Sequence, residues 1–190
     1  GVQTCALPIS SASRTITVTP AAKAEFDAAE NITISCADAE TLSGSSLHYT
    51  NGAAGGCEIS GDITGSLSGS HTEGGGSYTE SWSFTDNCGR TSSASRTITV
   101  TPAAKAEFDA AENITISCAD AETLSGSSLH YSNGAAGGCE ISGDITGSLS
   151  GSHTECGGSY TESWSFTDNC GRTSTASRTI TVTPAAKAEF

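Results

Sequence analysis

Apolar and polar residues alternate along most of this chain, and a period of two predicts β-strands that bury one face. Tyr78, Trp82 and Phe84 fall on one side of such a strand, and Ile98 and Val100 fall on one side of the next. No segment shows the 3.6-residue apolar period of a helix. The pattern therefore predicts an all-β protein.

Details of the pattern predict individual strands. The long alternation from Cys57 to Leu67 contains glycines and predicts two strands bent at one of them. Glu80 lies on an apolar face, so it must lie at the end of the sheet or find a partner. A short strand through Ile32, Ile34 and Cys36 is predicted, followed by a loop at 37–46. The predicted core consists of the inward positions Phe26, Ile32, Ile34, Leu47, Tyr49, Ile59, Ile63, Leu67, Tyr78, Trp82, Phe84, Ile98 and Val100.

The chain repeats itself with a period of 82 residues. Residues 10–108 align without gaps onto 92–190, and three positions differ: Thr50 against Ser132, Gly74 against Cys156, and Ser93 against Thr175. We predict a slice of a longer array: the last strand of one repeat (10–20), two full repeats (21–102 and 103–184) and the start of another (185–190). About seven short strands per repeat suit a two-sheet sandwich.

Residues 1–9 break the repeat. In register they would be SFTDNCGRT, as at 83–91, but they are GVQTCALPI. This string resembles the conceptual translation of a common sequencing adapter, so we predict a non-native segment and leave Cys5 out of the pairing. The alternative is a native N-terminus that diverges from the repeat.

Charge and hydropathy restrict the partners. Each repeat carries ten Asp or Glu and three Lys or Arg, and the net charge of the chain is −13. Nucleic acids and anionic membranes require clustered basic charge, so neither is a predicted partner. No apolar run approaches the roughly 20 residues that span a bilayer, so no membrane contact is predicted for this segment.

Cysteine usage indicates the redox compartment. About four cysteines per repeat, with no methionine and abundant Ser, Thr and Gly, suit an oxidising extracellular setting. The closest cysteines outside 1–9 are fourteen residues apart, which disfavours a zinc site.

Nothing in the sequence predicts catalysis. The histidines His48, His71, His130 and His153 lie in polar segments and are predicted to be exposed and non-catalytic. No GxSxG elbow is present. We predict no enzyme, no catalytic residue and no cofactor.

The segments YTESWSFTDNCGR, NITISCAD and TITVTP resemble hyalin-repeat-like and other immunoglobulin-like modules, which stand in tandem in large secreted bacterial surface proteins. The resemblance covers the whole repeat in strand order. It implies tandem immunoglobulin-like β-sandwich domains stapled by disulfides. It also implies a role as a spacer, an adhesin stalk or a fibre subunit.

The resemblance also implies a disulfide pairing. Hyalin-like strand order places Cys57 and Cys88 at one pole of the domain, and Cys36 and position 74 at the other. The implied bridges are Cys57–Cys88, Cys139–Cys170 and Cys118–Cys156. In a rival register, NITISC is an immunoglobulin B strand and Cys36 pairs with Cys88.

Gly74 leaves one thiol of the first repeat without a partner in either scheme. This thiol is Cys36 in the first scheme and Cys57 in the rival one. A buried free cysteine and an intermolecular bridge are the two alternatives for it.

Two further sets of site residues follow from short motifs. In an immunoglobulin-like topology, Asp86 and Asn87, with Asp168 and Asn169, lie at a domain pole and are weak candidate ligands for Ca²⁺, although no DxDxDG loop is present. Whether Asp38 and Glu40 join them depends on the register. Asn31 and Asn113 each begin an Asn-Ile-Thr glycosylation sequon.

We expect a structural repeat of an extracellular fibre or adhesin stalk at a bacterial cell surface. Only AAKAE separates Pro102 from Phe108, which predicts limited freedom between domains. The expected partners are neighbouring repeats of the array, or identical chains in a filament. The alternative is an adhesive module that binds a carbohydrate or a host protein through its loops.

Overall fold

The computed structural model describes residues 1, 3 and 11–189, and this part of the chain is mostly β. The strands of the first repeat are β1 (Glu25–Phe26), β2 (Ile32–Ile34), β3 (Ser46–Thr50), β4 (Ser60–Thr64), β5 (Ser66–Thr72), β6 (Gly75–Thr85) and β7 (Thr91–Val100). Those of the second are β8 (Glu107–Phe108), β9 (Ile114–Ile116), β10 (Ser128–Ser132), β11 (Ser142–Thr146), β12 (Ser148–Thr154), β13 (Gly157–Thr167) and β14 (Thr173–Val182).

Helical structure is limited to short turns. Each repeat has one four-residue helix, α1 (Cys36–Ala39) or α2 (Cys118–Ala121), and one 3₁₀ turn, Gly55–Cys57 or Gly137–Cys139. Among the described residues, no helix has the length and apolar character needed to cross a membrane.

Each repeat is a sandwich of two sheets. The order of the first sheet is β1-β3-β4 and that of the second is β2-β7-β6-β5, and the second repeat has the same two sheets. The strand pairs are antiparallel except for β2 with β7 and β9 with β14, which run parallel. Every strand pair lies within residues 25–100 or within 107–182.

Gly65 divides the long alternation at the point where the chain changes sheets. It lies between β4 in the first sheet and β5 in the second. A Cβ at this position would lie 2.7 Å from Cγ of Glu80 and 2.8 Å from the indole of Trp82. The predicted bend at a glycine is confirmed, and its physical reason is that the buried side chains of Glu80 and Trp82 leave no room for a side chain at position 65.

The interior of each sandwich is small. Of the predicted core of the first repeat, Trp82, Ile98 and Val100 are buried, and the other positions are only half-buried. Tyr49 of one sheet stacks on Phe84 of the other, with ring centroids 4.1 Å apart. This limited burial is what a domain of this size allows.

Glu80 finds a partner in the middle of the sheet, not at its end. It lies opposite Arg96 in the β6–β7 ladder, and Oε2 accepts a hydrogen bond from Arg96 Nε at 2.8 Å. The backbone N–H of Ser45 donates to Oε1 at 2.5 Å. Arg96 also lies over the ring of Trp82, 5.7 Å from its centroid. A charge on the apolar face is thereby paired and hydrogen-bonded, as burial requires.

Two predicted elements differ in the structure. Cys36 does not extend the strand but begins α1, because Ser35 and Asp38 form a capping box that starts a helix within the predicted loop. Of the predicted strand at 10–20, the described residues 11–20 are exposed and irregular, with Ile16 68% and Val18 85% exposed. Their counterparts Ile98 and Val100 are buried because β6 lies beside them.

Glu80→Ala should destabilise the first repeat by about 3 kcal/mol, because it leaves the Arg96 guanidinium without its carboxylate. The measurement is urea unfolding followed by tryptophan fluorescence. Asp62→Ala, which removes a carboxylate that is 67% exposed, is the control and should change stability by less than about 0.5 kcal/mol. Equal effects of the two substitutions would contradict the structural role of the buried pair.

Candidate functional site: the joint between the repeats

A disulfide joins the two repeats. Cys36 at the start of α1 is bonded to Cys139 at the end of the second repeat's 3₁₀ turn, with Cα atoms 5.9 Å apart and a sequence separation of 103. The bond therefore links one pole of the first sandwich to the facing pole of the second.

This bond corrects the predicted pairing. Cys139 is bonded to Cys36 and not to Cys170, and among the described cysteines Cys57, Cys88, Cys118, Cys156 and Cys170 have no disulfide partner. The rival bridge from Cys36 to Cys88 is also absent from this part of the chain. The physical reason is that Cys36 and Cys139 lie at the two poles that face each other across the joint.

Small apolar side chains surround the disulfide. Cys36, Cys139, Ala39, Val100 and Ala103 form one buried cluster, against which Ile34, Tyr78 and Ala135 pack. Cys139 is 1% exposed, whereas its counterpart Cys57, which faces no repeat, is exposed. Ala103 is likewise buried and its counterpart Ala185 is exposed. Contact between the repeats buries Cys139 and Ala103, whereas Ala39 and Val100 are buried within their own repeat, as their counterparts Ala121 and Val182 are.

The linker is bonded to both repeats at Ala103. Its N–H donates to the carbonyl of Glu73 in the first repeat at 2.9 Å, and its carbonyl accepts from Arg172 Nη1 in the second at 2.6 Å. The equivalent bonds recur where the chain continues, from Ala185 N–H to Glu155 and from Arg90 to the carbonyl of Ala21. Each half of the contact at Ala103 is therefore also formed at the equivalent position of the other repeat.

The turn at 168–171 orients Arg172 for this contact. Asp168 Oδ1 accepts from the backbone N–H groups of Cys170 and Arg172, and Oδ2 accepts from Arg172 Nε at 2.7 Å. Burial raises the pKa of Asp168, but the hydrogen bonds and the charge of Arg172 outweigh it and leave the pKa lowered. The pKa of Asp86 in the equivalent turn is lowered first by the backbone N–H of Arg90 and then by its guanidinium.

These contacts show what the calcium candidates do in this structure. Both carboxylate oxygens of Asp86, like those of Asp168, are engaged by the turn, and a guanidinium lies beside them. The side-chain amide of Asn169 donates to the carboxylate of Glu73 across the joint, while its counterpart Asn87 is exposed. The bond from Asn169, then the backbone N–H of Glu73, lower the pKa of Glu73.

Sequence reasoning missed two residues beside the disulfide. His71, predicted to be exposed, is 10% exposed in its side chain; Nε2 lies 3.2 Å from Glu40 Oε1 and Nδ1 lies 2.8 Å from the hydroxyl of Tyr78. Glu40 is 34% exposed, whereas its counterpart Glu122, which faces no further repeat, is 73% exposed. The burial of His71 arises within its own repeat, because its counterpart His153 is 13% exposed and keeps the same contact with the hydroxyl of Tyr160. Only the burial of Glu40 comes from the neighbouring repeat, so no signal within one repeat indicates it.

The same region contains a cluster of metal-ligating atom types. The sulfurs of Cys36 and Cys139 and a ring nitrogen of His71 lie within 4.8 Å of one another. Zinc is bound by cysteine as the thiolate. Because the two sulfurs are bonded to each other here, neither is a thiolate. The cluster is a buried disulfide with the imidazole of His71 beside it.

The sequon asparagines lie at the edge of the four-stranded sheets. Oδ1 of Asn31 accepts from the N–H of Thr97 at 2.8 Å, and Oδ1 of Asn113 accepts from Thr179 at 2.7 Å. Each bond continues the parallel ladder one step beyond β2 or β9. Both side chains thus have a structural contact, and glycosylation at these exposed residues stays a prediction.

Comparison of the chain with protein-family models and with curated proteins finds no match.

Asp168→Asn should lower stability at neutral pH and should matter less as the pH falls. The folded-state pKa of Asp168 is depressed, so the stabilisation is complete above the ordinary carboxyl pKa of about 4 and is lost as the pH falls through the lower folded value. The urea midpoints of the parent and of Asp168→Asn should therefore converge between pH 7 and pH 3.

Asp109→Asn, at an exposed position, is the control and should give a midpoint close to that of the parent at each pH. A constant gap between the parent and Asp168→Asn over this range would show that the carboxylate of Asp168 does not hold the turn.

Proposed function

We propose that this chain is part of an extended extracellular structural protein, a fibre or adhesin stalk on a bacterial surface, whose repeats are locked end to end. The observation that carries this proposal is the disulfide between Cys36 and Cys139 across the joint. The hydrogen bonds that hold Ala103 to both repeats support it. A joint of this kind transmits load and orientation, which are the tasks of a stalk.

The sandwich architecture supports an immunoglobulin-like assignment for each repeat. Two packed sheets of three and four strands belong to that architecture, which tolerates differences in topology. The strand order here is its own: β3 and β4 form one hairpin, and β5, β6 and β7 form a meander. We therefore assign the architecture and not a particular immunoglobulin subtype.

The position of the disulfide indicates how such an array would carry force. If every joint has the same bond, force enters the second repeat at Cys139 and leaves it at Cys118, 21 residues away. A fully extended chain spans about 3.4 Å per residue, so a repeat would lengthen to at most about 70 Å instead of about 280 Å. The strands β12, β13 and β14 lie outside this covalent path and would be shielded from the load.

Composition supports the location and the partners. Disulfides persist in oxidising surroundings, which suits a cell surface. The net charge of −13 opposes binding to nucleic acid and to anionic membranes, so neighbouring repeats or identical chains remain the proposed partners. We propose no enzymatic activity and no cofactor.

Ligand binding is the alternative function, and one feature of the sandwiches favours it. Each repeat has an open groove of about 600 Å³ lined mainly by Ser and Thr around a tryptophan, Trp82 or Trp164. Each tryptophan is 2% exposed and offers little surface on which a sugar ring would stack. Binding to a glycan array would favour this alternative over the spacer role.

Electron microscopy of chains with two, four and six repeats tests the fibre proposal. We expect rods whose length increases by one equal increment per repeat, because each joint repeats the same contacts. The variant Cys36→Ser/Cys139→Ser, which lacks the disulfide, should give more strongly bent particles. Compact globules whose shape does not lengthen with repeat number would contradict the proposal.

Pulling the 190-residue chain by its ends tests the load path. Under oxidising conditions the disulfide should prevent the segment from Cys36 to Cys139, a sequence separation of 103, from extending. Reduction should release this segment and add about 350 Å of contour length. Cys36→Ser should show the added length without reductant, and Cys170→Ser should behave as the parent. An oxidised chain that extends to its full contour length would show that the disulfide carries no load.

A further inference from the structure

Gly74 of the first repeat faces Cys170 of the second. A Cβ at position 74 would lie 3.5 Å from Cys170 Sγ. In a disulfide with sulfurs about 2.05 Å apart, each Cβ lies about 3 Å from the sulfur of its partner, so this separation suits a bonded pair after a small rotation of the Cys170 side chain. The neighbouring hydrogen bond from Asn169 to Glu73 is an independent contact between the same two turns.

The second repeat shows that a cysteine fits at this position. Cys156 replaces Gly74 there, and its N–H donates to Thr154 Oγ1 at 3.2 Å, as the N–H of Gly74 donates to Thr72 Oγ1 at 3.2 Å. Neither residue has a positive φ. The cysteine side chain therefore leaves the turn unchanged. A thiol at position 74 would have the same position relative to its turn as the thiol of Cys156 has in the second repeat.

We propose that position 74 of one repeat and position 170 of the next form a second disulfide across each joint wherever position 74 is cysteine. In this chain Cys170 lacks that bond because its partner position is Gly74. Cys156 occupies the position in the second repeat that corresponds to Gly74 in the first. Its partner in this proposal is the cysteine that corresponds to Cys170 in a repeat that follows.

This assignment accounts for the cysteines without partners among the described residues. Cys57 and Cys88 lie at the pole that faces a preceding repeat, as Cys139 and Cys170 do at the joint. Cys118 and Cys156 lie at the pole that faces a following one. An open cavity of about 420 Å³ beside Cys118, lined also by Ala185, is the counterpart of the place that Cys139 and Ala135 occupy beside Cys36.

The oxidant is a small-molecule disulfide such as oxidised glutathione. One cysteine thiolate attacks a sulfur of oxidised glutathione, forms a mixed disulfide and releases a first glutathione thiolate. The second cysteine thiolate then attacks the protein sulfur of this mixed disulfide and releases the second glutathione thiolate. The two cysteines lose two electrons to glutathione, and their protons pass to solvent or to the released thiolates.

Gly74→Cys in the 190-residue chain, refolded in a glutathione buffer, tests the proposal. We expect a peptide that joins positions 74 and 170 in non-reducing mass spectrometry, beside the Cys36–Cys139 peptide. The variant should titrate one thiol fewer than the parent, although it has one cysteine more.

Two matched variants serve as controls. Gly74→Ser introduces a side chain of similar size without a thiol and should titrate as the parent, and Gly74→Cys/Cys170→Ser should show a free thiol at position 74. A new thiol in Gly74→Cys that stays reduced, or that pairs with Cys88, Cys57 or a second chain, would overturn the proposal.

A chain lengthened by another copy of residues 109–190 tests the native pair directly. Cys156 should then be bonded to the counterpart of Cys170 in the added copy, and a free Cys156 in that chain would also overturn the proposal. The second disulfide rests on the proposed function, but the two proposals can fail separately. If the cysteines at these positions stay unbonded, the Cys36–Cys139 joint and the expected rod shape are unaffected.

Discussion

The disulfide between Cys36 and Cys139 is the interaction on which the behaviour of the whole chain depends. Each repeat pairs its strands only with its own, so no sheet continues across the joint. The remaining apolar contact is made mainly by small side chains such as Ala103 and Ala135, which bury little area. The covalent bond maintains this contact, and the contact in turn excludes solvent from the bond, since Cys139 is almost fully buried.

The sandwich places the two sulfurs where they meet. Cys36 follows the short strand β2, which runs parallel to β7, and the capping box of Ser35 and Asp38 turns the chain into α1 at that point. The paired Glu80 and Arg96 hold the middle of the same sheet, because a buried carboxylate requires its guanidinium. The local helix and the buried ion pair together fix the pole that faces the next repeat.

In the proposed array, the contacts seen at this joint would recur at every joint. Arg90 and Arg172 each donate through Nη1 to a carbonyl of the preceding linker, that of Ala21 or Ala103, so in the proposed array every added copy would bring this contact. The acidic surface opposes lateral association of such chains, because like charges repel. In the proposed array, length would then increase along one direction only. These features are consistent with a function that depends on reach.

The sequence by itself determined the β class, the change of strand at Gly65, the inward faces of Ile98 and Val100, and the need of Glu80 for a partner. These follow from alternation and from the energetics of burial, which act within one repeat. The capping box at Ser35 was also present as a local signal, but the loop prediction passed over it. Only the tertiary structure decided that Cys36 bonds to Cys139. Because the repeats are nearly identical, position 57 and its copy at 139 are the same residue in the sequence pattern. Both lie at the same pole of their own repeats, and only the second repeat places this pole against Cys36, which depends on how whole domains pack against each other.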